Sequence, residues 1–94
     1  LTSKVVIVLP SMLSKLTEGH RRIQVSASTL GEALEELKGL YGEPLAEKLF
    51  EPTGEPKRLL NFYVNGKNAR LLGFLNAELR DGDEIAVIPG VSGG

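Results

Sequence analysis

Only one stretch of this chain has the period of a long helix. From Leu30, apolar residues recur at Ala33, Leu34, Leu37, Leu40 and Tyr41, which is one face of a helix, while Glu32, Glu35, Glu36 and Lys38 take the other. Thr29 followed three residues later by Glu32 predicts a capping box at its start. Gly42 suits the position just past its end, and Pro44 prevents continuation. The other apolar stretches read as strands, short turns of helix or loops. A single long helix must therefore cover every apolar strand face the chain presents.

Residues 4–9 are β-branched and almost wholly apolar until Pro10 stops them, as in a buried strand. Residues 11–19 read as a loop with one helical turn near 12–16, and 18–22 as a turn. Arg22-Ile23-Gln24-Val25-Ser26 alternates like a strand with one wet face. Residues 45–50 add a short helical turn with Leu45 and Leu49 inward, and the prolines and glycine of 51–57 predict a surface loop. Residues 61–65 read as a strand, with Asn65-Gly66 turning tightly into a short strand near 68–70. An irregular segment over 72–79 tucks in Leu75 and Leu79, Asp81-Gly82-Asp83 makes a turn, and 84–88 form the last strand. The closed solution is an α+β, β-grasp (ubiquitin-like) mixed sheet of about four to five strands packed on one main helix. The first and last strands, the most apolar, belong side by side at its centre. On this reading residues 1–88 are the domain and 89–94 a flexible C-terminal tail.

The composition removes most chemistry. The 94 residues contain no Cys and no Trp, and His20 is the one histidine. That excludes thiolate nucleophiles, iron–sulfur clusters, cysteine zinc sites and multi-histidine metal sites, so no metal and no intrinsic catalytic residue is assigned. Ser11 and His20 form no recognisable triad with any Asp. Lys and Arg number 11 against 12 Asp and Glu, so no strong field favours nucleic acid or a membrane. No apolar run approaches the roughly 20 residues of a membrane span, and none reads as a secretory signal. Asp81, Asp83 and Glu84 read as turn residues, because calcium needs six to eight oxygens. His20-Arg21-Arg22 reads equally as a basic contact patch or a solvated hairpin end, and Lys57, Arg58, Lys67 and Arg70 read as a solvated face by default, with contact to a partner's acidic surface as the alternative.

Two features carry a function. After the last strand the chain runs through Pro89, Gly90, Val91, Ser92, Gly93 and Gly94. One reading is a frayed end. The other is a reactive one: a carboxylate is inert until activated, for instance as an acyl-adenylate, and residues without Cβ atoms pass through a narrow channel to ATP. With no thiol in the chain, the carboxylate of Gly94 is the sensible attachment point for a carried group. The second feature is a patch. If Val5, Ile7, Leu9, Ile85 and Val87 face the helix, then Val6, Val8, Ala86 and Ile88 face away, at the root of the tail. Either Leu71, Leu72 and Phe74 fold over that patch or it binds a protein.

The residues from Leu79 to Gly94, Leu-Arg-Asp-Gly-Asp-Glu-Ile-Ala-Val-Ile-Pro-Gly-Val-Ser-Gly-Gly, resemble the C-terminal signature of the MoaD/ThiS sulfur-carrier family. So do Tyr63-Val-Asn-Gly66 and the capped helix at Thr29. The resemblance implies a ubiquitin-like carrier, not an enzyme, working in the cytoplasm. An E1-like adenylating enzyme would activate Gly94 with ATP and magnesium, and a sulfur donor would convert it to a thiocarboxylate. The carried sulfide would then pass to a sulfur-accepting synthase subunit. No cofactor is implied as permanently bound. Gly93, Ser92, Val91 and Gly90 would thread the activating channel, and Val6, Val8, Ala86, Ile88 and Pro89 would dock the partner. Many molybdopterin-synthase small subunits have a second proline where this chain has Gly90, and an aromatic where it has Val8-Leu9-Pro10-Ser11. The segments Leu9-Pro10-Ser11-Met12-Leu13 and Leu16-Thr17-Glu18-Gly19 look more like the cysteine-type carrier, so the reading leans there over the molybdopterin type. A ubiquitin-like modifier joined to lysines through Gly94, and a plain β-grasp interaction domain, remain the alternatives.

Overall fold

The structure is a computed structural model that describes residues 2–90. Its elements run β1 (Ser3–Val8), a 3-10 helix (Ser11–Thr17), β2 (Arg22–Ala27), α1 (Leu30–Tyr41), α2 (Glu43–Leu49), β3 (Leu60–Val64), β4 (Lys67–Asn68), two 3-10 turns (Ala69–Leu72 and Phe74–Asn76) and β5 (Glu84–Pro89). The strands form one mixed sheet in the order β2-β1-β5-β3-β4. β1 and β5 are parallel neighbours near its centre, with Val8 beside Ala86, and every other pairing is antiparallel. This is the β-grasp architecture expected from the sequence.

The sheet's inner face and the helices share one core. Val5, Ile7, Leu9, Ile85 and Val87 are buried from the two central strands, Ile23 and Val25 from β2, and Phe62 from β3. Leu30, Ala33, Leu34 and Leu37 meet them from α1, and Leu45 and Leu49 from α2. Leu40 does not. At 100° per residue it lies about 80° from the centre of the apolar stripe, and its side chain is 59% exposed. The inner face of α1 is therefore narrower than the sequence pattern indicates, with Tyr41 half-buried in its place.

The start of α1 is also built differently from the expected capping box. Thr29 Oγ1 accepts the Glu32 N–H at 3.2 Å, as expected. Glu32, however, makes its main return bonds to Ser28: its Oε1 accepts from the Ser28 N–H at 2.8 Å and the Ser28 hydroxyl at 2.6 Å. The backbone of Thr29 lies beside Glu78 in an isolated bridge, and Leu79 N–H and Leu30 N–H bond to Ser28 and Ala77 carbonyls. The segment preceding β5 thus pins the helix start, which is why Ala77 and Leu79 are buried.

The Ser28 hydroxyl, then the Ser28 amide, hold the Glu32 carboxyl below the usual glutamate range. A lowered folded-state value means the contribution is present above the unfolded value, about 4.3, and is lost as pH falls through the lower folded one. Glu32→Gln should therefore flatten the acid limb of stability below about pH 4, leaving its shape at neutral pH alone. Acid titrations of unfolding in both forms check this, and identical acid limbs would contradict it.

Turn chemistry closes the remaining connections. Asn65 and Gly66 both take positive φ, 50° and 85°, as a two-residue hairpin of the primed type requires. The short strand after this turn is Lys67–Asn68, earlier and shorter than expected, because the chain winds into a 3-10 turn at Ala69. Gly42, at φ 74° and ψ −162°, ends α1 in a conformation open to glycine and hands directly to α2, whose first turn holds Pro44.

Candidate functional site

The face of the sheet away from the helices is built by the outward residues of the same strands. Val6 and Val8 are half-buried, Ala86 likewise, and Ile88 is 46% exposed. The register sets Arg22, Val8, Ala86 and Tyr63 in one row across β2, β1, β5 and β3. Ile88 lies next along β5, opposite Asn61. Leu71, Leu72 and Phe74 do not fold over this face. The Phe74 ring centroid sits 6.1 Å from that of Phe62, an inner-face residue, and the Arg70 guanidinium lies 4.5 Å from the centre of the Phe74 ring. Leu71 remains 79% exposed. The patch is open.

Its members are not all together. Val8, Ala86, Ile88 and Pro89 line a shallow depression of about 220 Å³ with Leu9, Pro10, Arg21 and Val87. Val6 lies outside it. Arg22, opposite Val8, bonds Glu84, opposite Val6, at 2.9 Å, so this exposed ion pair reaches across the outer face of β1 between the two valines. Such a pair contributes little to stability, but it bounds the apolar floor on one side. Sequence reasoning missed three members of the site. Tyr63 is legible in hindsight from strand alternation, since Phe62 faces in. Pro10 and Arg21 reach the depression only through the loop geometry, in which the Leu9 N–H donates to the Arg21 carbonyl at 2.8 Å and the Leu9 carbonyl accepts from Arg21 Nε at 3.0 Å.

The root of the tail is fixed more firmly than expected. β5 continues through Pro89, which pairs with Leu60, and the Gly90 N–H donates to the Leu59 carbonyl. Pro89 therefore belongs to the sheet, because β3 begins at Leu60 opposite it, and Gly90 is bonded just beyond the strand's end. A Cβ at Gly90 would stand 2.5 Å from the Leu59 oxygen. Val91, Ser92, Gly93 and Gly94, the rest of the expected threading segment, lie outside the described residues.

No group of three or more metal-ligating side chains occurs among the described residues. The acidic turn at 81–83 is occupied by the chain itself. Asp81 Oδ1 accepts the Lys4 N–H, Asp83 Oδ2 accepts the Arg80 N–H, and Asp83 Oδ1 accepts from Asn65 Nδ2, all at 2.8 Å. Two larger clefts, about 460 and 470 Å³, lie along the helical layer. They are rimmed by glutamates, because residues 32–55 carry Glu32, Glu35, Glu36, Glu43, Glu47, Glu51 and Glu55 against Lys38 and Lys48. The acids of residues 32–55 thus gather on the helical layer, whereas the strand side is mixed, with Arg22 paired to Glu84 and Lys4 beside Asp81.

The ThiS family model matches residues 11–94. The chain belongs to the ThiS family. The sulfur carrier protein CysO of Mycobacterium tuberculosis is 33% identical over 92 residues, 96% of this chain and 98% of that protein. Among solved structures, the Amycolatopsis orientalis BexX/CysO complex contains a chain that matches with a TM-score of 0.84 and 28% identity, covering 96% of this chain and 99% of the other. The small archaeal modifier protein 1 of Methanosarcina acetivorans matches with a TM-score of 0.85 and 29% identity, over 100% and 99% of the two chains. The family, the β-grasp fold and the lean to the cysteine-type sulfur carrier all agree with the sequence reading.

Proposed function

We propose that this ThiS-family carrier acts as a consumed and recharged cosubstrate and performs no catalysis of its own. The observation that carries the reading is the apolar depression at Val8, Ala86, Ile88 and Pro89, which opens where β5 leads into the segment ending Gly93-Gly94. An E1-like enzyme docks on that face. A Gly94 carboxylate oxygen attacks the α-phosphorus of ATP, held with magnesium by that enzyme, and pyrophosphate leaves. Hydrosulfide attacks the resulting acyl carbon, AMP leaves, the S–H proton is lost to solvent, and Gly94 ends as a thiocarboxylate. A sulfur-accepting partner in a cysteine-forming route then discharges it, in the cytoplasm where ATP is available. The CysO chain found in complex with BexX supports docking of a second protein on such a fold.

The likeness to a small archaeal modifier protein favours one second reading, in which Gly94 is joined to lysines of target proteins. The two are separated in cell extracts. The carrier reading predicts that an electrophilic thiocarboxylate probe labels the free chain at Gly94. Labelling absent from the free chain, with higher-mass conjugates that vanish when Gly93-Gly94 is deleted, would replace the carrier by the modifier.

A further inference from the structure

The depression on the outer face carries a single charge. Among the described residues that line it, Arg21 is the only titratable one, and every other lining side chain is apolar. We propose that Arg21 determines which partner the depression accepts: the adenylating enzyme that covers it meets Arg21 with a carboxylate of its own. The inference rests on the carrier reading above and deepens it by naming the chemistry of the docking surface.

Two observations give Arg21 that role. The first is how its side chain is held. Arg21 Nε donates to the Leu9 carbonyl at 3.0 Å, and the Leu9 N–H donates to the Arg21 carbonyl at 2.8 Å. The guanidinium is thereby pinned at the mouth of the depression instead of sweeping through solvent. With Nε engaged, the two Nη groups are left as parallel donors, and among the described residues neither makes a hydrogen bond. That pair of donors takes a carboxylate end-on. The second observation is the contrast with the next residue. Arg22 has its charge matched within the chain by Glu84, whereas no described carboxylate lies within ion-pair distance of Arg21.

Selectivity follows from desolvation. A surface that fills the depression against Val8, Ala86 and Ile88 also takes water from the guanidinium at its rim. A cation stripped of water without a partner weakens binding, and one met by a carboxylate does not. A wholly apolar surface is therefore rejected, and an apolar patch flanked by Asp or Glu is accepted.

The test is steady-state charging of the full chain by the adenylating enzyme from the same source, at about 50 and about 300 mM salt. Arg21→Gln, Arg21→Glu and Arg21→Lys are compared with wild type, and Lys48→Gln, at an exposed position of α2, is the charge-matched control. The wild-type KM should rise with salt. At low salt Arg21→Gln should raise KM at least about fivefold and lose most of the salt dependence, and Arg21→Glu should raise it at least about 30-fold. Arg21→Lys should restore the salt dependence, and kcat should stay within about twofold throughout, because the change is in binding alone. A KM for Arg21→Glu within about threefold of wild type would overturn the inference and leave the carrier reading intact. So would a wild-type salt dependence in Arg21→Gln, a loss confined to kcat, or an equal effect in Lys48→Gln. A wild-type chain that is not adenylated at all would overturn both. If the variants at Arg21 melt too early to assay, the wild-type chain decides, and a KM independent of salt refutes the pairing.

Discussion

Val8→Asp should raise the KM for charging by at least about 100-fold while the protein stays folded. Val8 lies on the outer face of β1, directly between Ala86 and Arg22, whose guanidinium bonds Glu84. A carboxylate there would have to be stripped of water against the partner's apolar surface, a cost of a few kcal/mol at the centre of an interface. In the free protein the same carboxylate remains solvated, because Val8 is only half-buried and points away from the core. Poor strand propensity for Asp costs about 1 kcal/mol at most. The pair of measurements is KM and thermal midpoint, and a KM close to wild type would remove the outer face as the docking surface.

Leu34→Ala should destabilise the fold by about 2–5 kcal/mol, and Leu40→Ala by less than about 0.5 kcal/mol. Both leucines fall within the apolar pattern of α1, yet Leu34 is 1% exposed and Leu40 59%. Truncating Leu34 leaves a cavity beneath the sheet that neighbouring side chains can only partly fill. With total stability of a domain this size about 5–15 kcal/mol, the Leu34 variant loses a large share of it. Denaturant midpoints at fixed slope check the contrast, and equal losses at the two sites would refute the assigned inner face of α1.

Periodicity revealed most of this architecture because each element has one decisive physical signal. Once residues 4–9 and 84–88 are read as strands, their period of two puts Val5, Ile7, Ile85 and Val87 on one face and Val6, Val8, Ala86 and Ile88 on the other. Where the signal depends on distant chain, the sequence is silent. Leu40 is exposed because it lies at the edge of the apolar stripe of α1, and the pattern alone does not state where the inner face ends. Glu32 makes its main return bonds to Ser28 because the 77–79 segment fastens Ser28 and Leu30. The grouping of Val8 with Ala86 depends on the β1–β5 register, and a cross-strand ion pair lies between Val8 and Val6. The hold on Gly90 depends on Leu59, thirty-one positions earlier, and a glycine near a chain end reads locally as slack.

The central claim is that Gly94 is the atom-bearing end of a sulfur carrier. Intact mass after incubation with ATP, magnesium, the adenylating enzyme from the same source and a sulfide donor tests it most directly. The account predicts a gain equal to one exchange of oxygen for sulfur, located at Gly94 and absent when Gly93-Gly94 is deleted. No gain, with the same enzyme shown to charge another carrier, would contradict it.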